Sequence, residues 1–286
     1  MRRVSGFWIF LVVLALGAIA APSLLAGEVY AATPTTLPMP YGWPAFQEVD
    51  GATTAAQPGN FLVHVPGIGG FMGIDHALVA GLIDGGVQTS HIIVYDWTEN
   101  DPGIDALHAR NRNLQEAQQI ADLITTHAHS DPHSKIFVTA HSGGCGVAVW
   151  ALELLPADVS VDTVLLMAPA LSPGYDLTKA LSHVRTHVYA FSSIHDVLIL
   201  YTGTKLFGTI DGVLTQAAGF SGFVEPAGAN ATEYLKLVPE PYQNAWMKLN
   251  NWGDHVGPMS RAFAQHVLAP LLEQTPASTE PSVDVK

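Results

Sequence analysis

Residues 135–146 read KIFVTAHSGGCG. The apolar run Ile136–Thr139 has the length and composition of a buried strand, and a helical pattern follows from Val147 to Leu155. Between them lies Ala140-His141-Ser142-Gly143-Gly144, too short for anything but a tight turn. A serine in such a turn is displayed at the end of a sheet with a helix N-terminus behind it. Small residues flank it because the turn has no room for side chains. Gly144 takes the second glycine position of Gly-x-Ser-x-Gly. Ala140 takes the first, at little cost where the backbone avoids positive φ. The alternative reading of Ser142 is a helix-capping serine.

Outward from this turn, apolar runs alternate with helical patterns, as in a mainly parallel sheet covered on both faces. Strands are expected at Asn60–Val65, His91–Tyr95, Ile136–Thr139, Val161–Met167, His187–Phe191 and Tyr234–Val238. Helices are expected at Ile74–Ile83, Leu107–His127, Gly144–Leu155, Asp176–His183 and Val256–Leu272. Leu114, Ala117, Ile120, Ala121 and Ile124 carry the 3- and 4-residue spacing of the long helix. The fold class is α/β, a sheet of about six strands with helices on both faces. The segment 197–232 is longer than a simple connection and reads either as an insertion over the site or as a bland surface excursion.

The Ser142 turn in this setting resembles the nucleophile elbow of the α/β-hydrolase superfamily, the serine lipases and esterases in particular. The resemblance covers roughly residues 60–272. It implies a sheet trimmed at its N-terminal strands, these being missing or reduced to residues 40–58. The family's chain order is nucleophile, acid, histidine. Asp196, just past a strand end in Ser192-Ser193-Ile194-His195-Asp196, takes the acid position. His255, in Asn250-Asn251-Trp252-Gly253-Asp254-His255-Val256-Gly257, takes that of the base. The implied triad is Ser142, Asp196 and His255. The rival acid is Asp176, after the fourth strand, and Asp196 could also be an ordinary helix N-cap. The rival histidines are His195, His266 and His183.

An acyl-transfer oxyanion needs preorganised backbone donors. The amide of Gly143 follows the nucleophile. The loop His64-Val65-Pro66-Gly67-Ile68-Gly69-Gly70 resembles the family's His-Gly loop, with Pro66-Gly67 in place of the usual pair. The match implies the amide of Ile68, with Gly69 as the fallback. Gly67, Gly69 and Gly70 do not fit Gly-x-Gly-x-x-Gly, so a nucleotide site is a weak reading. His141 is expected to be a packing or hydrogen-bonding neighbour of the site. Cys145 sits where a helix dipole would lower a thiol pKa, yet reads as a buried filler. His127, His129, Asp131 and His133 invite a zinc reading, but histidines at i, i+2 share no helix face, and they suit a helix C-terminus.

The chain has 286 residues, 48% hydrophobic and 13% charged, enough for one large core and one main domain. Its formal charge is −13, from 25 acids against 12 bases, which argues against nucleic acid as a partner. Arg2 and Arg3 precede an apolar run from Phe7 to Ala21, the pattern of a secretory signal peptide over residues 1–31. Cleavage is expected after Ala31 or Ala20. If uncleaved, residues 7–25 would act as an N-terminal membrane anchor, although the run is short for a span. The chain is therefore expected to be exported or anchored. Residues 32–59 read as a linker or irregular arm, 60–273 as the hydrolase domain and 274–286 as a disordered tail. Cys145 is the single cysteine and leaves no internal disulfide.

The resemblance implies a serine hydrolase acting on small-molecule or lipid carboxylic esters through an acyl-enzyme, with no cofactor and no metal. Two alternatives stay open: an amidase or peptidase with the same triad, and a non-catalytic binding module of the cell envelope. Fold likeness alone carries little weight on substrate.

Overall fold

In the computed structural model, residues 47–49, 59–98 and 103–274 are described. The expected signal peptide or anchor, and all of the expected tail but residue 274, lie outside them. Seven strands form one sheet: β1 (Gln47–Val49), β2 (Phe61–Val65), β3 (His91–Val94), β4 (Ile136–His141), β5 (Thr163–Met167), β6 (Val188–Ser192) and β7 (Leu237–Pro241). Their order is β1-β3-β2-β4-β5-β6-β7. β2 to β7 run parallel, while β1 pairs antiparallel with β3 at the edge. The arm expected to be irregular over 32–59 thus contributes one short strand.

Each central strand feeds both faces, which is why these strands read as continuous apolar runs rather than alternating ones. In β2, Phe61, Val63 and Val65 join the core on one side and Leu62 the core on the other. In β4, Ile136, Val138 and Ala140 face the first side and Phe137 the second. The first side is closed by α3 (Arg110–Ser130) through Ala117, Ile120 and Ile124, and by α4 (Gly144–Glu153) through Val147 and Ala151. The second is closed by α1 (Gly73–Asp84) through Leu78 and Leu82 and by the C-terminal helical segment through Phe263 and Leu268.

Three elements differ from their sequence expectation. The helix expected over Leu107–His127 is two, α2 (Ile104–His108) and α3, because Ala109 leaves helical geometry at ψ 52°. The last strand is not at Tyr234–Val238 but three residues later. Asn230 caps a single helical turn at Ala231–Tyr234, accepting from the Thr232 amide at 3.1 Å, and the Tyr234 hydroxyl accepts from the Leu177 amide at 2.9 Å. Pro239 and Pro241 disguised the strand. They are tolerated because, among the described residues, β7 is the outer strand and pairs with β6 alone.

The closing helix does not begin at Val256. A 3₁₀ turn at Gly257–Met259 comes first. Ser260 then caps the helix proper, its Oγ accepting from Phe263 N at 3.3 Å and donating to the Leu249 carbonyl at 2.6 Å. The helix runs from Arg261 to Glu273 with a π turn over Ala264–Leu268. Pro270 follows that wide turn and has no N–H to return to the preceding turn.

Phe263 is fully buried and meets Trp246 and Phe191 at ring separations of 4.9 and 5.8 Å. Phe263→Ala is expected to cost about 3–5 kcal/mol of stability, read as a lowered denaturant midpoint with an unchanged slope.

Candidate active site

The chain leaves β2 for β3 on one side and returns to β4 on the other, so β2 and β4 are neighbours whose following loops diverge. A crevice at the carboxyl ends of two such strands is where parallel sheets bind ligands. Ser142 occupies it, immediately after β4, at φ +53°. A non-glycine residue in the left-handed region is uncommon, and the surroundings here hold it there. Its amide donates to Met167 O at 2.9 Å, and its carbonyl accepts from Ala170 N at 3.1 Å.

The glycines of the turn answer to space. A Cβ on Gly144 would lie 2.1 Å from the carbonyl oxygen of Pro66 and 2.5 Å from that of Val65, so α4 can dock against the end of β2 only with hydrogen at this position. A Cβ on Gly143 would lie 2.7 Å from Ile68 Cγ2. The loop after β2 is thereby laid alongside Ser142. Trp97 Nε1 donates to Pro66 O at 2.8 Å and Gly103 N to Ile68 O at 2.7 Å, which hold that loop from its outer side. Among the described residues, the amides of Ile68, Gly69 and Gly143 donate to no backbone carbonyl. Gly69 lies farther along the loop, against the side chain of Met72.

Below the loop, the fully buried His64 Nε2 donates to Asp75 Oδ1 at 2.9 Å, and its Nδ1 accepts from Thr139 Oγ1 at 2.9 Å. Asp75 Oδ2 accepts from the Met72 amide at 2.7 Å and starts α1. This polar network ties β2, β4 and α1 together with its oxygens and nitrogens paired, the condition for burying it.

Asp196 and His255 arrive from loops far along the chain. His255 Nε2 lies 2.9 Å from Ser142 Oγ, and His255 Nδ1 lies 2.6 Å from Asp196 Oδ2. A carboxylate can only accept, so Nδ1 carries the proton and Nε2 is free to accept the serine hydroxyl. Asp196 is buried, and its second oxygen, Oδ1, accepts from the Leu200 amide at 3.3 Å. The two readings of Asp196 are both realised: one oxygen caps the π-helical segment Val197–Gly203, and the other holds an imidazole. A hydroxyl, an imidazole and a carboxylate linked in this order can pass a proton from oxygen to nitrogen while the carboxylate orients the ring.

The rivals are elsewhere. Asp176 is exposed and accepts from the Thr178 amide at 2.9 Å. His195 is exposed beside Tyr242, and His266 is exposed on the closing helix. His183 is buried with its Nδ1 2.8 Å from Val159 O. Burial raises the Cys145 thiol well above its ordinary range, opposite to the direction a helix N-terminus would give. His127 stacks on Phe61 at 4.4 Å and bonds Ser134 Oγ at 2.9 Å, while His129 meets Asp158 at the surface. Among the described residues no group of three His, Cys, Asp or Glu side chains is gathered around a point where a metal could sit.

Sequence reasoning passed over the His64–Asp75 pair and Trp97, because nothing in their local spacing marks them. It also left Asp254 aside. Burial raises this carboxyl, the Asp196 charge adds to the rise, and its Oδ1 is buried without a partner among the described residues.

A mainly parallel sheet with a serine on a left-handed strand-to-helix turn, then an acid and a histidine on later loops, is the α/β-hydrolase arrangement. The strand order and the geometry at Ser142, Asp196 and His255 give the chain the α/β-hydrolase fold. No family model and no curated protein matches the sequence. Among solved structures it is similar to Aspergillus fumigatus lipase B, at 12% identity over 78% of this chain and 55% of that one, TM-score 0.49. It is also similar to a dienelactone hydrolase from Anabaena variabilis, at 14% identity over 79% of this chain and 89% of that one, TM-score 0.42. A third is an acylaminoacyl peptidase from Pyrococcus horikoshii, at 13% identity over 77% and 36%, TM-score 0.43. The chain spans just over half the length of the lipase, 55%.

The segment 197–232 is tied to the body at several points. Ile210 packs where a Cβ on Gly146 would collide with it at 2.3 Å, and Asp211 accepts from Ser172 N at 2.9 Å and from Ser172 Oγ. Ala218 N and Gly219 N donate to Leu171 O and Pro169 O. Leu198 and Leu206, before these ties, and Leu214, between them, are exposed, as are Ile194, close in sequence to Asp196, and Trp252, close in sequence to His255.

Two measurements check this geometry. Gly144→Ala is expected to lower stability by about 1–3 kcal/mol, since backbone and not a flexible side chain blocks the added carbon. The second concerns His141, whose pKa burial lowers from 6.5 to about 3, with His255 adding to the shift. The unfolded chain takes up that proton near pH 6.5 and the native chain does not, so this stability is fully present above 6.5 and declines as pH falls toward 3. The decline is at most about 1.4 kcal/mol per pH unit. Urea titrations of wild type and His141→Gln between these limits are expected to show a flatter pH dependence in the variant.

Proposed function

We propose that this protein is a serine hydrolase of carboxylic esters, working through an acyl-enzyme. The observation that carries the reading is the unbroken relay from Ser142 Oγ to His255 Nε2 at 2.9 Å and from His255 Nδ1 to Asp196 Oδ2 at 2.6 Å, on a serine held at φ +53°. Serine oxygen is a weak nucleophile until a base accepts its proton within hydrogen-bond reach.

In the proposed cycle, Ser142 Oγ attacks the ester carbonyl carbon as its proton passes to His255 Nε2. The carbonyl oxygen becomes an oxyanion and takes the amides of Gly143 and Ile68 as donors, a role their lack of backbone acceptors supports. The tetrahedral intermediate collapses, the bond to the alcohol oxygen breaks, and His255 gives that oxygen its proton. Water then attacks the acyl-enzyme with His255 again as base, releasing the acid and restoring Ser142. Asp196 orients the imidazole throughout. Exposed Ile194 and Leu198, next to the acid, and Trp252, near the base, support esters whose acyl or alcohol part is apolar. The basic and apolar N-terminal residues support export or an N-terminal anchor as the protein's setting.

Ser142→Ala is expected to reduce turnover of short p-nitrophenyl esters by at least about a thousandfold, and a fluorophosphonate probe should label Ser142 in the wild type. Full turnover by the variant, or labelling at another residue, overturns the reading. Parallel assays of matched amides separate an esterase from an amidase.

A further inference from the structure

His141 ends β4 and directly precedes the serine. Along β4, Phe137, Thr139 and His141 share one face by the strand's two-residue period, the face covered by α1 and the C-terminal segment. That period turns the His141 ring toward the loop that leads into the closing helix. It is only 3% exposed.

Its Nε2 lies 2.8 Å from the main-chain carbonyl of His255. A carbonyl only accepts, so Nε2 carries the proton and Nδ1 is bare. Nδ1 has no partner among the described residues and faces Gly67, where an added Cβ would come within 3.2 Å of it. The rings of His141 and His255 lie 4.8 Å apart at 47°. One buried imidazole therefore touches three parts of the site: by covalent sequence the Ser142 turn, by hydrogen bond the His255 loop, by packing the loop that carries Ile68.

The His255 loop needs such an anchor. It belongs to no strand, and it bends through Asn250 at φ +59° and Gly253 at φ +77°. Burial also keeps the His141 ring uncharged, so no second cation stands beside His255 when that ring takes up the serine proton.

We propose that His141 is a positioning residue whose Nε2–H fixes the main chain of His255 and thereby sets the distance from the His255 ring to Ser142 Oγ. This rests on the reading of Ser142 and His255 as nucleophile and base. The site's geometry is sensitive to it, because displacing a catalytic group by about 1 Å costs on the order of a hundredfold in rate.

The full chain is assayed on a p-nitrophenyl ester with fluorophosphonate labelling alongside. A wild type that is not labelled at Ser142 sinks the hydrolase reading itself. With labelling established, His141→Leu should lower kcat about tenfold to a hundredfold with KM within about twofold. His141→Gln, whose amide N–H reaches the place of Nε2, should recover most of the loss. In a His255→Ala background His141→Leu should change the residual rate no further, since the group it positions is gone. A kcat equal to wild type in His141→Leu, no recovery by His141→Gln, or the same loss in the His255→Ala background overturns the proposal. Should His141→Leu fail to fold, ¹⁵N-histidine spectra of the wild type decide: a neutral Nε2–H ring persisting to about pH 4 supports it, and an Nδ1–H ring or protonation near the ordinary histidine value overturns it.

Discussion

The site depends on one close approach of backbone to backbone. Gly144 brings the first turn of α4 against the carbonyls of Val65 and Pro66, with no room for a methyl group between them. From that contact follow the sharp turn at Ser142, the contact between Gly143 and Ile68, and the lie of the loop after β2. Trp97 and the buried His64–Asp75 pair then fix the loop from outside and below. The strain at Ser142 persists because rigid neighbours leave the chain no alternative path.

Charge is distributed around the serine with equal economy. The acid is buried yet has a donor on each oxygen, Leu200 N on one and His255 on the other. His141, held neutral by burial, adds no positive charge next to His255. Asp254 lies close by, its carboxyl raised by burial and by the Asp196 charge.

Much of this was legible in the chain. The strands β2 to β6 were read in place from apolar runs because a parallel sheet buried on both faces writes its strands that way. Ser142, Asp196 and His255 were placed by order and by the small residues around the serine, and the structure brings those three side chains within hydrogen-bond distance of one another in sequence. What escaped had physical causes. β7 hid behind Pro239 and Pro241, which an outer strand can hold and an inner one cannot. The closing helix was started too early because periodicity ignores a cap, and Ser260 ends one element and begins the next. His64, Trp97 and the grip of His141 on His255 are contacts between residues distant in sequence, and no local pattern announces them.

The double duty of Asp196 limits what can be grafted at this rim. The amide that satisfies its outer oxygen belongs to Leu200, inside the segment that distinguishes this chain from a minimal sheet-and-helix body. Anyone exchanging that segment for a shorter or differently shaped one, to change what the mouth admits, would also remove half of the acid's solvation. A transplanted loop has to bring its own N–H to that oxygen, or the carboxylate is left to water at the edge of the machinery it serves.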